Sequence, residues 1–565
     1  MAPDASRLTA PAVDRLHALP MGPDWKGALD SATRTVLEKQ ALVPFLQRQR
    51  WFASKSRDIR WARFTDWARL RGGAQPSFLT VASLGYVDDW VESYFLPLAL
   101  VTEDRARTLL NERPLTVLTQ ITGARKGAIV DGFQDDETCD RLVEVMASGA
   151  EIRTVRGNLR GSGDPRGASG RRGTSSAPGE PRWVRPGGDQ SNSVAFLNQA
   201  LVLKLFRRIE PDINPEYEIG RFLTERRFPR APALKGGLEY VRPGLNTGTL
   251  AVSEAVVKHQ GSGWDAAMNE LSRYFERIAA CGAVGAASSP FFASTFLTSI
   301  GHDSLRNAEM LGKRTAELHM TLASGMTDAF APEPLDRPAI APMVHAMIEH
   351  ANASLHLLRR SLERPGATGK FDDFSQEHAR RVLEVTDALG SRFDELRTLD
   401  SAGLRIRVHG DYHLGQVLRT KEDFVILDFE GEPDRPIKER RAKQSPVKDV
   451  AGMVRSFGYA AYAALLAFTR HAPDMYDLLE PWAGAWQHAA SDAFTRGYLT
   501  AIAEGGTSTP LLLDGLSDPA APPQWWTTLL RAFVLDKAMY ELAYELNNRP
   551  DWVRIPLIAI RRLME

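Results

Sequence analysis

Cysteine is nearly absent from this chain, which has only two among its 565 residues, Cys139 and Cys281. Two isolated cysteines cannot build a disulfide framework, and they cannot supply the four ligands of a structural zinc site. Because this usage fits a reducing compartment, we expect a cytoplasmic protein. The hydrophobic fraction of 43% is sufficient for large apolar cores.

An excess of charge of either sign is also missing, since 70 basic residues balance 70 acidic residues. This balance predicts neither nucleic acid nor a membrane surface as a partner. Long apolar runs are lacking too. The longest, residues 459–468, is alanine-rich and far shorter than the ~20 residues that span a bilayer, so it predicts a buried helix. The first residues do not show the basic and apolar regions of a secretory signal.

One stretch differs sharply in composition, because residues 156–188 are rich in Gly, Ser, Arg and Pro. Such a segment buries too little apolar surface to order itself, so we expect a flexible insertion. Around it, short apolar runs between turn residues predict strands. Beyond residue 256 the apolar period becomes helical, most clearly at residues 447–465 and 524–546. The pattern predicts an α+β protein with a β-rich front half and a mostly helical back half.

The most informative segment is His-Gly-Asp-Tyr-His-Leu-Gly-Gln at residues 409–416, followed by an apolar run that ends at Asp428. Phosphoryl transfer requires an oriented acceptor hydroxyl and metal ions that neutralise the phosphates. Asp411 suits the first task. Gln416 and Asp428 suit the second, because a hairpin centred near Glu422 would bring two oxygen ligands opposite each other. Each residue alone is better explained by a turn or a capped strand, whereas the three together predict a kinase core.

A kinase also needs a cation against the nucleotide phosphates, steadied by a carboxylate. Lys204 lies within a predicted strand, and Glu216 and Glu218 belong to the helix that follows. We prefer Glu218, further into the helix, as its partner; an exposed edge-strand lysine is the alternative. Upstream, small polar residues stand where a loop over the phosphates is expected. The candidate contacts in this loop are Gln190, Ser191, Asn192 and Ser193.

Two helices near the C-terminus carry polar and aromatic side chains at helical spacing. Such a set suits a sugar, because phenol rings stack on its C–H surface while polar groups bind its hydroxyls. The alternative is that the tyrosines pack in a core. The residues are Lys448, Arg455 and Tyr459 on the first helix and Lys537, Tyr540 and Tyr544 on the second.

These motifs resemble the bacterial maltokinases, relatives of the aminoglycoside phosphotransferases with a eukaryotic-kinase-like fold. The resemblance is strongest at residues 409–418, at Asp-Phe-Glu-Gly-Glu-Pro in 428–433 and at the Lys-Asp-Val-Ala-Gly-Met segment within 443–456. Arg-Gln-Arg-Trp-Phe at 48–52 resembles the family's N-terminal cap, and residues 203–208 resemble its lysine strand.

The resemblance implies a bilobal protein-kinase-like fold over most of the chain. The expected divisions are a leader at residues 1–40, a β-rich cap at 41–105, an N-lobe with the nucleotide-binding strands at 106–256, and a helical C-lobe at 257–565. The activity implied is transfer of the ATP γ-phosphoryl group, with Mg²⁺, to the anomeric hydroxyl of maltose. Maltose 1-phosphate would then feed α-glucan and glycogen synthesis from trehalose, with possible association with trehalose synthase, for which the chain itself has no room.

Site roles follow from the same resemblance. Asp411 is expected to be the catalytic base, with His409 beside it, and Gln416 and Asp428 are expected to bind Mg²⁺. Lys204, Glu218 and the loop at 190–193 would contact ATP. The expected sugar contacts are His413, Glu430, Lys448, Arg455, Tyr459, Lys537, Tyr540 and Tyr544.

Three alternatives remain open from sequence. A related kinase for glucosamine or another sugar would share the catalytic block and differ in its acceptor pocket. A non-catalytic partner of trehalose synthase is opposed by the intact Asp411, Gln416, Asp428 and Lys204. An aminoglycoside kinase would favour a pocket rich in carboxylates, because its acceptor is polycationic.

Overall fold

The structure is a computed structural model in which two compact units are distinguished. Unit 1 comprises residues 1–225 and 232–256, and unit 2 comprises residues 226–231 and 257–565. The residues that the structure describes are 16–164, 183–186, 192–280, 302–363, 371–505, 513, 515–516 and 518–564.

Unit 1 is built on two sheets. The first has six strands in the order β1-β5-β6-β4-β3-β2, and the second has seven in the order β7-β8-β12-β13-β11-β10-β9. The strands of the first sheet are β1 Ala18–Met21, β2 Ile59–Arg71, β3 Ser77–Tyr86, β4 Val91–Thr102, β5 Val117–Gly123 and β6 Gly127–Asp131. The strands of the second are β7 Glu151–Arg153, β8 Asn158–Ser162, β9 Trp183–Val184, β10 Ser193–Leu197, β11 Leu201–Leu205, β12 Leu234–Val241 and β13 Gly248–Ala255.

Helices cover the faces of these sheets. A π-helical turn, Leu37–Leu42, joins the first two helices into one rod. The helices of unit 1 are α1 Ser31–Val36, α2 Val43–Arg48, α3 Glu103–Glu112, α4 Asp136–Ser148 and α5 Pro215–Glu225. Strand β3 shows how the first sheet is used, because all ten of its residues are buried. Phe78 and Leu84 point into one core and Leu79 and Val81 into another, as the two-residue period of a strand requires.

The structure has a strand within the expected leader, where the sequence indicated none. Ala18–Met21 lies within the expected leader and pairs in parallel with β5. Leu19 is the only buried residue of the four, so the segment has no apolar alternation from which a strand could be predicted.

The expected flexible insertion at residues 156–188 is wrong at both ends. Strand β8 pairs with β7 and β12, and β9 pairs with β10, while residues 165–182 and 187–188 lie outside the described residues. The glycine content was misleading at Gly161. A Cβ added there would overlap the carbonyl oxygen of Val145 on α4, so this glycine permits close packing.

Unit 2 is mostly helical, and its described residues also form one short hairpin and one antiparallel pair of strands that are distant in sequence. The prediction of an α+β protein with a β-rich front and a helical back is confirmed. The helices are α6 Gly263–Ala280, α7 His302–Ala323, α8 Arg337–Glu363, α9 Asp373–Glu384, α10 Thr386–Asp394, α11 Ile437–Arg440, α12 Val447–Thr469, α13 Tyr476–Glu504, α14 Gln524–Asn548 and α15 Arg554–Met564. The distant pair is β14 Glu333–Asp336 with β15 Ser401–Arg405, and the hairpin is β16 Val417–Arg419 with β17 Phe424–Ile426.

Helix α12 is a core helix of unit 2. Among the described residues it alone has the length and apolarity of a membrane span, but 78% of its most apolar window is buried inside the protein. The apolar run at residues 459–468 belongs to this helix. Its burial is what the sequence predicted for that run.

Helices α7 and α13 pack closely through two reciprocal glycines. A Cβ at Gly312 would overlap the carbonyl oxygen of Phe494, and a Cβ at Gly497 would overlap that of Glu309. Both clashes are with backbone atoms, which cannot rotate away. The glycines therefore set the separation of the two helices, and these helices carry His319 and Tyr498, which support the site described below.

Replacement of Gly497 by alanine tests this packing. Alanine is the better helix former by about 1 kcal/mol, but the overlap with Glu309 should reverse the sign. We expect Gly497→Ala to lower the free energy of unfolding by about 1–3 kcal/mol in urea titrations. The matched control is Gly390→Ala on α10, where an added Cβ meets nothing within 4 Å. This control should be neutral or stabilising, and equal effects of the two substitutions would refute the close-packing argument.

Candidate active site

A buried carboxylate anchors the backbone of the loop that carries Asp411. Asp449, in the first turn of α12, accepts hydrogen bonds from the backbone N–H groups of His409, at 2.7 Å, and Gly410, at 2.9 Å. Its Oδ2 also lies 3.0 Å from Nε2 of His319. Burial alone would raise the pKa of Asp449, but the His319 ring and these N–H groups hold it below its usual value.

His409 positions this loop. Its ring is buried, and Nε2 donates to the carbonyl oxygen of Leu427 at 2.8 Å, which ties the loop to the end of the β16–β17 hairpin. The ring lies between Tyr412 and Phe429, with centroid distances of 5.1 and 5.2 Å. The sequence analysis grouped His409 with the catalytic base, whereas these contacts give it a supporting role.

Asp411 is held by an ammonium group. Oδ1 of Asp411 lies 3.1 Å from Nζ of Lys537 on α14, and the same Nζ lies 2.9 Å from Oε1 of Glu432. Glu432 is buried and also pairs with Arg435. Burial would raise the pKa values of both carboxyls, but Lys537 lowers them below their usual range. In turn, the two carboxylates outweigh burial and raise the pKa of Lys537.

His413 lies beside the other oxygen of Asp411. Its Nε2 is 3.9 Å from Oδ2 of Asp411, and its Nδ1 accepts a hydrogen bond from the N–H of Gly415 at 3.0 Å. Burial lowers the pKa of His413 more than Asp411 raises it. Because Nδ1 accepts a hydrogen bond from Gly415, a neutral His413 ring carries its proton on Nε2.

The hairpin of β16 and β17 brings the two expected metal ligands together, although its predicted register is wrong by one residue. Val417 pairs with Ile426, so Gln416 stands opposite Leu427, whose N–H it accepts at 2.9 Å. Asp428 follows the strand with a φ of +62°, and this left-handed turn swings its carboxylate back. Nε2 of Gln416 consequently donates to Oδ2 of Asp428 at 2.9 Å.

The donor set at this position fits a hard cation. Carboxylate oxygens of Asp428 and Glu430 lie within 4.8 Å of each other, and the amide of Gln416 adjoins them. Oxygen ligands of this kind suit Mg²⁺. Gln416, Asp428 and Glu430 are therefore the residues of unit 2 that would hold it. The sequence analysis assigned Glu430 to the sugar, whereas the structure places its carboxylate within 4.8 Å of that of Asp428.

A cavity of about 560 Å³ opens over Asp411. Six of the expected site residues line it, and Lys448 and Arg455 are not among its lining residues in the described chain. Arg455 is buried and pairs with Glu541 at 3.2 Å, while Lys448 lines a smaller neighbouring cavity near Glu432. The expected residues that line the larger cavity are Asp411, His413, Tyr459, Lys537, Tyr540 and Tyr544.

Aromatic rings form much of the cavity wall. Tyr459 stacks on Trp552 with ring centroids 5.9 Å apart and lies 6.5 Å from Trp264. The Tyr540 ring is 4.4 Å from Nζ of Lys537. The sequence analysis overlooked Trp264 and Trp552, which come from distant segments and carry no local signal.

The cavity wall also carries carboxylates that the sequence analysis missed. Glu541 and Glu545 follow Lys537 at helical spacing, which was a readable signal. Both are engaged within the protein: Glu541 by Arg455, and Glu545 by the hydroxyl of Tyr459 and by Arg549, whose Nη2 lies 2.6 Å away. Of the three cations expected to contact the sugar, Lys448, Arg455 and Lys537, only Lys537 is among the described residues that line the cavity.

In unit 1, Lys204 on β11 pairs with Glu216, with Nζ 3.3 Å from Oε2. The sequence analysis preferred Glu218. Glu216 lies in the first turn of α5 and is buried, whereas Glu218, two residues further along, turns toward a half-exposed face. Of the expected phosphate loop, Gln190 and Ser191 lie outside the described residues. Asn192 precedes β10, and Ser193 begins it.

Comparison with known proteins places this geometry among sugar kinases. Residues 45–135 match the maltokinase N-terminal cap domain. Over 381 residues the chain is 26% identical to a glucosamine kinase of Streptacidiphilus jiangxiensis, spanning 66% of this chain and 72% of that one. A glucosamine kinase of Mycolicibacterium smegmatis is also 26% identical, over 41% of this chain and 56% of the relative.

Solved structures agree on the fold. A glucosamine kinase in complex with glucosamine, ADP and inorganic phosphate superposes with a TM-score of 0.58 at 20% identity, covering 96% of this chain and all of that one. A second crystal form of a glucosamine kinase gives a TM-score of 0.59. These matches confirm the resemblance and the kinase-like fold class. The chain thus resembles the maltokinases in its cap domain and the glucosamine kinases in its fold.

The ion pairs at Lys537 predict a pH-dependent stability. Lys537→Met should lower the free energy of unfolding at pH 7 by about 3 kcal/mol, because it leaves buried carboxylates without their cation. In the unaltered protein the pKa values of Asp411 and Glu432 lie below their usual values, so the stabilisation by these carboxylates is lost only as the pH falls through the lowered pKa values. In the variant they protonate earlier. The deficit should therefore shrink as the pH is lowered from 7 to 4.

The measurement is urea unfolding of both proteins between pH 4 and pH 8. The matched control is Lys438→Met, an exposed lysine on α11, which should stay within about 0.5 kcal/mol of the unaltered protein throughout. A deficit for Lys537→Met that does not change with pH would contradict the assigned ion pairs.

Proposed function

We propose that this protein is an ATP-dependent sugar kinase that phosphorylates the anomeric hydroxyl of maltose. The observation that carries the proposal is the aromatic-walled cavity over Asp411. Its volume of about 560 Å³ lies within the usual range of ligand sites, about 300–1,000 Å³, and leaves room for more than one sugar ring. The match to the maltokinase cap domain supports the same acceptor.

Asp411 is suited to orient the acceptor hydroxyl. Lys537 occupies its Oδ1, so Oδ2 is the oxygen directed at the cavity beside His413. Phosphoryl transfer passes through a loose transition state that demands little basicity. A carboxylate with a lowered pKa therefore suffices. It would accept the hydrogen bond of the hydroxyl and receive its proton as the bond from the acceptor oxygen to the γ-phosphorus forms and the bond from that phosphorus to the leaving oxygen of ADP breaks.

The remaining charges suit the phosphates. Gln416, Asp428 and Glu430 would hold Mg²⁺, which supplies positive charge to the phosphate oxygens when bound. Lys204, steadied by Glu216, would contact the nucleotide. Lys537 presents its ammonium 3.1 Å from Asp411, where negative charge develops between acceptor and phosphoryl group.

The aromatic walls suit the sugar. Trp264, Tyr459 and Trp552 form a connected set of rings, and such faces bind the C–H surfaces of pyranose rings. The product would be maltose 1-phosphate, a precursor for α-glucan synthesis. The expected supply of maltose from trehalose, and association with trehalose synthase, remain predictions.

Glucosamine is the second candidate acceptor. The two relatives bear that name, and four carboxylates, from Asp411, Asp434, Glu541 and Glu545, line the cavity against fewer cations. An amino sugar would be attracted by unpaired carboxylates. Maltose is favoured because internal partners engage Glu541 and Glu545, which leaves the exposed Asp434 as the available acid.

The proposal is tested by incubating the protein with ATP and Mg²⁺ and a panel of maltose, glucosamine, trehalose, glucose and kanamycin. Mass spectrometry and phosphorus NMR would identify each product and the position of its phosphate. Maltose 1-phosphate should dominate. Preferred phosphorylation of glucosamine would overturn the assignment of maltose as acceptor and support the assignment as a sugar kinase. Transfer to none of the sugars would reject the proposal.

Asp411→Asn tests the role of the base. The variant should lose about 10²–10⁴-fold in kcat while its Kd for ATP stays close to that of the unaltered protein. The reason is that the amide cannot take the proton, whereas the expected nucleotide contacts are untouched. Glu422→Gln, at the exposed tip of the hairpin, serves as the control and should keep full kcat. A large loss of ATP affinity with most of the turnover retained would refute the assignment.

A further inference from the structure

A buried ion pair in unit 1 links the six-stranded sheet to the segment that follows the Lys204 strand. We call this sheet the cap sheet, because strands β2 to β6 lie within residues 45–135, which match the cap domain. Asp131 ends β6, and Arg207 comes two residues after β11. The guanidinium is 1% exposed and binds both carboxylate oxygens, with Nη2 2.6 Å from Oδ2 and Nη1 3.3 Å from Oδ1. A bidentate pair of this kind fixes orientation as well as distance.

The remaining nitrogen of the same guanidinium, Nε, bonds to a residue of the expected phosphate loop. Nε of Arg207 donates to Oγ of Ser193 at 2.7 Å. Ser193 begins β10 and stands opposite Leu205, and the next pair along the ladder is Val194 with Lys204. Arg207 therefore connects Asp131 of the cap sheet to the point where the expected phosphate loop enters the sheet that carries Lys204.

The backbone around Arg207 is clamped to the same cap sheet. The N–H of Phe95 donates to the carbonyl oxygen of Arg207 at 2.7 Å, and the N–H of Ile209 donates to that of Ser93 at 2.8 Å. The ring of Trp51 lies 4.9 Å from the guanidinium carbon. With its main chain bonded to β4 and its side chain to β6, Arg207 has little freedom to move relative to the cap.

We propose that Asp131 and Arg207 are positioning residues for nucleotide binding, through which the cap sheet sets the affinity for ATP. They hold Ser193, an expected phosphate contact, in register with Lys204. A contact residue that is fixed before the nucleotide arrives costs less ordering on binding. This inference rests on the proposed function, because that function assigns the phosphate contacts to Lys204 and the loop.

The test compares two buried cap carboxylates by titration calorimetry of MgATP with the full chain. Asp131→Asn should raise the Kd about tenfold, the effect of weakening one charge-assisted hydrogen bond. The matched control is Glu92→Gln. Glu92 pairs with the next residue, Arg208, at 3.4 Å, and none of its described contacts is with Ser193. The control should stay within about twofold in Kd.

Both variants should lower the Tm, so stability alone cannot produce the expected difference in nucleotide affinity. The KM for the sugar should be unchanged in both. Arg207→Lys serves as a second variant if Asp131→Asn does not fold. It retains the charge next to Asp131, loses the fork that reaches Ser193, and should raise the Kd for ATP by a similar factor.

A double-mutant cycle separates positioning from direct contact. The double variant of Ser193→Ala and Asp131→Asn should raise the Kd for ATP no more than the larger single change. The reason is that each substitution breaks the same connection, which runs from Asp131 through Arg207 to Ser193. Additive losses, or equal losses in Asp131→Asn and Glu92→Gln, would overturn the inference while the kinase assignment stood. An unaltered chain that binds no MgATP would overturn the proposed function itself.

Discussion

The geometry of the site depends on the buried carboxylate of Asp449. A charge taken out of water costs several kcal/mol unless its lone pairs are satisfied. Here the donors are two successive N–H groups of the catalytic loop and the imidazole of His319. The loop can satisfy Asp449 only in the conformation that turns at Gly410, whose φ of +86° requires glycine. The need to solvate one buried charge thus selects the loop conformation that presents Asp411.

The same network positions the cation opposite Asp411. Nδ1 of His319 is 2.9 Å from the hydroxyl of Tyr498, and the Tyr498 ring stacks on Trp526 with centroids 5.7 Å apart. Trp526 lies in the first turn of α14, and Lys537 lies three turns further along the same helix. One connected set of contacts therefore fixes both the loop that carries the base and the helix that carries its ammonium partner. The cavity between them is defined by the scaffold before any ligand enters.

Sequence patterns predicted the elements better than their contacts. The helical period placed α12 and α14 to within a few residues, because burial of one face repeats every 3.6 residues. The hairpin was found but its register was wrong, because the register follows from the geometry of the turn at residues 420–423, which composition does not reveal. Gly161 was taken as a sign of flexibility, although its missing side chain serves the approach of α4. Local sequence patterns reveal the hydrophobic period of an element and the residue types of its turns. Which distant residue each side chain contacts is decided by tertiary packing.

The acceptor side shows why residue type alone misleads about charge. A count of acids around the cavity would favour a cationic sugar, and a count of the predicted cations would favour an anionic one. Neither count describes the electrostatic potential in the cavity. Arg455 is paired with Glu541, and Glu545 is bonded to both Arg549 and Tyr459. Pairs that neutralise each other at short range contribute little at the cavity centre. What remains is the charged group around Lys537 and a wall of aromatic rings, and that combination discriminates by ring shape and hydroxyl position more than by net charge.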